Sequence, residues 1–147
     1  MGNKNMKTVV VDTRSIERDW FVVDAADQPL GRLASKAAQI LIGKEKVAYS
    51  PNQDHGDNLI IVNADKIKLT GTKSETKEYF RHSRYPGGGK TRTFKEQMAK
   101  DSTQVIMHAI HGMVPKNARG RSILTKLHVY SGSSHPHAAQ QPKELKL

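Results

Sequence analysis

The chain has 147 residues, enough for one domain that buries roughly two-thirds of the surface its unfolded form exposes, so its core needs no staples. It contains no cysteine, which excludes disulfides and thiolate metal sites and fits a reducing compartment. Hydrophobic residues make up 36% and aromatics 5%, while 24 Lys and Arg against 14 Asp and Glu leave a net charge of +10; with no run of about 18 apolar residues and no apolar signal segment, the expectation is a soluble cytoplasmic protein that meets a polyanion.

In chain order, Trp20, Phe21, Val22 and Val23 form an apolar run closed by Asp24, the pattern of a buried strand, and Ala25 to Pro29 supplies a turn. From Leu30 the apolar positions Leu33, Ala34, Ala37, Ile40 and Leu41 fall on one helical face with Arg32, Lys36 and Gln39 opposite, and Gly43 is placed to stop the helix. DHGDN at 54–58 is turn chemistry, which accounts for Asp54 and Asp57 better than a metal or catalytic dyad does. Leu59 to Val62 reads as a second buried strand, and Lys66 to Leu69 alternates as a half-exposed one would. Strand, helix, strand with short connections makes the fold class α/β with a right-handed crossover.

Beyond residue 90 the pattern turns helical. Thr93 and Glu96 have capping-box spacing, Asp101 is placed to cap a helix bearing Val105, Ile106, Ala109, Ile110 and Met113 that ends at Pro115, and Asn117 to cap a third bearing Ile123, Leu124 and Leu127. His128 to Tyr130 looks extended, and the closing SGSSHPHAAQQPKELKL has little periodicity.

The charge is not evenly spread. Residues 1–80 hold 12 cations and 11 anions, whereas residues 81–130 hold 10 cations against only Glu96 and Asp101. Within that second stretch lies RHSRYPGGGKTR, residues 81–92. Its GGGKT centre suggests a phosphate-binding loop of an NTPase, yet that motif needs a glycine five residues before Gly89, where Arg84 stands, and a helix directly after it, where TRTF follows. NTP hydrolysis is therefore set aside. The residue types still suit phosphates: Gly87, Gly88 and Gly89 permit close backbone approach, Arg81, Arg84, Lys90 and Arg92 offer charge-assisted hydrogen bonds, and Tyr79, His82 and Tyr85 offer flat faces for exposed bases. The competing explanation is a solvated hairpin. VPKNARGR, residues 114–121, supplies a second candidate, in which a helix capped by Asn117 turns its positive end toward phosphate beside Lys116, Arg119 and Arg121. His108 with His111, and His135 with His137, raise zinc or acid–base chemistry, but no thiolate or third carboxylate ligand accompanies either pair.

Five segments in register resemble one family. DQPLGRLAS (27–35), GDNLIIVNADKIKLTGTK (56–73), HSRYPGGGK (82–90), HGMVPKNARGR (111–121) and HPHAAQQP (135–142) look like the bacterial form of the thirteenth large-subunit ribosomal protein family. The resemblance implies a non-enzymatic protein with a mixed sheet of about four strands between helices, without cofactor or metal, that binds large-subunit rRNA, joins early in assembly and meets neighbouring ribosomal proteins. It also implies an N-terminal extension over 1–19, one RNA-binding domain over 20–130 and an extended tail over 131–147 ordered by packing on the body and on RNA. Expected RNA contacts are Arg81, His82, Arg84, Tyr85, Gly87, Gly88, Gly89, Lys90, Arg92, Lys116, Asn117, Arg119, Arg121 and Lys126. Two departures stand out: residues 1–6, MGNKNM, read as an added leader, and His111 stands where an arginine or lysine is expected. The alternative from another class is a free-standing RNA- or DNA-binding regulator.

Overall fold

Trp20–Asp24 (β1) and Asn58–Val62 (β2) pair in parallel, from Trp20 opposite Asn58 to Asp24 opposite Val62, in a computed structural model that describes residues 15–145. The expected leader at residues 1–6 lies outside the described residues. Leu59, Ile60 and Ile61 are all fully buried, as a parallel strand covered on both faces requires. A parallel pair needs a crossover, and Leu30–Ile42 (α1) supplies it. Its buried face carries Leu30, Leu33, Ala34, Ala37, Ala38 and Leu41, each large aliphatic side chain contributing about 1.5–3 kcal/mol, while Arg32, Lys36 and Gln39 face solvent. The helix stops at Gly43, whose φ of 81° turns the chain so that the Lys44 N–H donates back to the Gln39 carbonyl at 3.1 Å. A Cβ there would also lie 2.7 Å from the His55 carbonyl carbon, so glycine is required twice over.

The main sheet runs β5-β2-β1-β6, with Leu127–Val129 as β5 and Lys143–Glu144 as β6, and all three ladders are parallel. The antiparallel pairing expected within a mixed sheet stands apart, in a ribbon of Glu78–His82 (β3) and Gly89–Thr93 (β4). Residues 66–69 form no full strand. Their side chains alternate in and out, but the partner segment turns into α1 at Pro29, leaving a single bridge between Pro29 and Lys68. The fourth strand instead comes from the aperiodic C-terminal segment. Lys143 and Glu144 lie opposite Phe21 and Val22, and the Leu145 N–H donates to the Val22 carbonyl at 2.9 Å, so β1 is not left as an open edge.

A short turn of helix, Lys73–Thr76 (α2), precedes the ribbon, and Phe94–Lys100 (α3), Ser102–Met113 (α4) and Ala118–Leu124 (α5) follow it. Their caps are the expected ones. Thr93 and Glu96 close a reciprocal capping box, Asp101 accepts from the Thr103 N–H at 3.0 Å, and Asn117 accepts from the Gly120 N–H at 2.8 Å. Helix α4 buries Val105, Ile106 and Ile110 and packs on α1, α3 and β5, joining both halves of the chain around one core.

Candidate nucleic-acid interface

The glycine segment is the tip of the β3–β4 ribbon. Its turn is closed by Ser83 N–H to the Gly88 carbonyl at 3.1 Å and Gly88 N–H to the Tyr85 carbonyl at 2.9 Å. The Arg84 N–H donates to His82 Nδ1 at 2.9 Å, which places the imidazole proton on Nε2. Amides of Ser83, Arg84 and Gly88 are thus engaged within the turn. Gly87 takes φ 72°, and a Cβ on Gly88 would collide with the Ser83 hydroxyl.

Cross-strand register sorts the ribbon into two faces. Tyr79 lies opposite Arg92 and Arg81 opposite Lys90, so one face gathers three cations; Phe80 lies opposite Thr91 and His82 opposite Gly89 on the other. Arg81, Arg84 and Lys90 are exposed and Arg92 is half-buried. Tyr79, expected as a stacking face, is instead a structural residue: its ring is half-buried edge-on to His108 at 5.6 Å, and burial pushes its hydroxyl pKa up. The ring that faces outward is Phe80, at 68% exposure, with Tyr85 at 76%. Period-two alternation was the signal for it, since adjacent Tyr79 and Phe80 cannot both face the body.

The second candidate site is smaller than expected. Lys116 and Arg121 are exposed, but Arg119 is half-buried and its guanidinium donates to the Pro51 carbonyl, tying the 51–54 loop to α5. Lys126, expected to touch RNA, is instead turned into the body: at 8% exposure it donates to Asp54 Oδ1 at 2.6 Å and to the Gly56 and Leu41 carbonyls at 3.1 and 3.3 Å. Burial lowers its ammonium pKa and Asp54 opposes that shift. Three acceptors for three ammonium hydrogens leave nothing for a phosphate. Asp57 likewise accepts from Lys46 and from the Asp19 N–H at 2.8 Å, so the two aspartates anchor the turn through partly buried ion pairs. Among the described residues no group of three or more His, Asp or Glu side chains is arranged to hold a metal.

His128, His135 and His137 pack together, whereas His111 is exposed. His128 stacks on Trp20 at 5.5 Å, His137 lies 4.5 Å from His128 and shares a 2.7 Å hydrogen bond with the Tyr130 hydroxyl, and His135 stacks behind it. The cluster pins the C-terminal segment to β1 and β5. Burial and the neighbouring His137 lower the His128 pKa. A histidine depressed in the folded state contributes its full stability above the ordinary value near 6.5 and loses it as pH falls from there through the lower folded value. As pH falls below about 6.5 the protection factor of the Leu145 amide, its exchange measured against the intrinsic rate at the same pH, should therefore drop, and His128→Gln should abolish that dependence.

Among the described residues the ion pairs join Arg18 and Lys126 to Asp54, Lys46 to Asp57, Lys68 to Asp27 and Lys143 to Asp19. None involves Arg81, Arg84, Lys90, Arg92, Lys116 or Arg121. An α/β body whose cations over residues 81–121 meet no carboxylate among the described residues defines a basic protein whose surface is suited to a polyanion. The family model described as ribosomal protein L13 matches residues 18–136. The large ribosomal subunit protein uL13 of Lachnospira eligens is 53% identical over 142 residues, 97% of this chain and 100% of its own length. That of Roseiflexus sp. strain RS-1 is 52% identical over 138 residues, 94% of each chain, and that of Pseudomonas aeruginosa 49% over 142, 97% and 100%. The chain belongs to the ribosomal protein L13 family.

Proposed function

We propose that this chain is a structural constituent of the large ribosomal subunit, in the cytoplasm, that binds large-subunit rRNA and supports early assembly of the subunit. The observation that carries this function is the set of cations without acidic partners on the ribbon and around α5, in the stretch where the chain's excess positive charge is concentrated. Arg81, Arg84, Lys90, Arg92, Lys116 and Arg121 neutralise phosphates, His82 and Tyr85 line the strand, and Gly87 to Gly89 let the RNA backbone come close. Residues 20–130 act as the RNA-binding body, and 131–147 as a tail held against it. Neighbouring ribosomal proteins complete its surroundings, and no catalytic step is assigned to it.

Arg81 directly opposite Lys90 supports this role, because like charges facing each other across a ladder destabilise the free protein and are relieved by an anion. Sedimentation of a lysate through a sucrose gradient at high salt with magnesium should place the chain with the large subunit; a position at the top would point to a free-standing regulator. Purified protein titrated with large-subunit rRNA should give log K against log salt a slope of about −4 to −5, for about six neutralised phosphates. A slope near zero overturns the assignment.

A further inference from the structure

The outward face of the β3–β4 ribbon carries a feature that phosphate neutralisation does not use. Phe80 is 68% exposed, and His82, two residues on, shares its face, with ring centroids 6.3 Å apart and planes 30° from parallel. Opposite His82 stands Gly89, whose missing side chain leaves the face open; a Cβ there would sit 3.2 Å from the Phe80 ring edge. The result is two co-oriented aromatic faces beside a glycine floor on a protruding ribbon. Phe80 and His82 together present adjoining ring faces to solvent, a contiguous patch that a partner with flat apolar surface would cover.

We infer that Phe80, with His82, is a stacking platform for an unpaired nucleobase of the bound RNA. The occupant is chosen by charge. The ribbon that carries the rings also carries Arg81, Arg84, Lys90 and Arg92, none of which meets a carboxylate among the described residues, so a polyanion with flat apolar rings complements both faces at once. A protein partner would have to bring several carboxylates together with its apolar surface. Base–aromatic stacking tolerates any base, so Phe80 holds a looped-out nucleotide without reading its identity, while the cations across the ribbon hold backbone phosphates.

This inference rests on the rRNA-binding function proposed above, and the test separates the two. Wild type, Phe80→Ala, Phe80→Leu and Phe80→Tyr are titrated with large-subunit rRNA and with a fully paired RNA duplex over a range of salt. Their thermal melts should coincide, because the side chain is exposed. Phe80→Ala should weaken rRNA binding about 5- to 150-fold with the salt slope unchanged; tyrosine should restore affinity, leucine should not, and duplex binding should not change. Equal rRNA affinity of wild type and Phe80→Ala overturns the platform while leaving the phosphate contacts standing. Restoration by leucine overturns it in favour of an apolar docking contact. Failure of wild type itself to bind large-subunit rRNA removes the underlying function and the platform with it.

Discussion

Lys126→Met lowers the unfolding free energy by about 3 kcal/mol, a fall of roughly 6–12 °C in Tm for a chain of this size. The ammonium satisfies Asp54 and the carbonyls of Leu41 and Gly56, tying together the end of α1, the 54–57 turn and the entry to β5. Methionine fills the same channel but donates nothing, so two carbonyls and a carboxylate lose their partner together. The cost falls at the lower end of the range for broken buried pairs, because the Asp54 side chain keeps 21% exposure and Arg18 stands 4.0 Å away. Urea denaturation provides the measurement, and rRNA titration at low temperature the control. The salt slope should match that of wild type; an unchanged midpoint with a shallower slope would return Lys126 to the RNA surface.

The opposite signature is expected for Arg81→Ala, Arg84→Ala and Lys90→Ala combined. Removing three unpaired cations should make the salt slope shallower by about 2–3 and weaken rRNA binding about 100-fold at moderate ionic strength. Stability should hold or rise by up to about 1 kcal/mol, since Arg81 and Lys90 face each other across the ladder and their repulsion disappears. Loss of affinity together with a lower melting temperature would mean that the ribbon had unfolded. Together the two variants distinguish a lysine that holds the body together from cations kept unpaired for a partner.

Sequence periodicity and capping chemistry determined much of this protein without further information. The face of α1, its stop at Gly43, the caps at Thr93, Asp101 and Asn117, the buried strand β2 and the half-buried strand β1 follow from interactions within a few residues, which the order of residues specifies directly. The excess of cations over residues 81–130 was equally plain, because charge is a property of composition. The destination of each cation was not. Lys126 and Asp54 are 72 residues apart, and only the packing of β5 against β2 brings them together, so a lysine that reads as a surface contact becomes a buried tie. Arg119 meets Pro51 across 68 residues for the same reason. The tail strand β6 has no periodic pattern because two residues suffice to pair with an edge that the fold itself creates. Tyr79 and Phe80, adjacent in sequence and alike in chemistry, part to opposite faces of the ribbon, and α4, through His108, decides which ring is covered and which stays exposed. Local order fixes the elements and the total charge, whereas long-range packing fixes which charges and rings remain outside, because burial depends on neighbours that are distant in the chain.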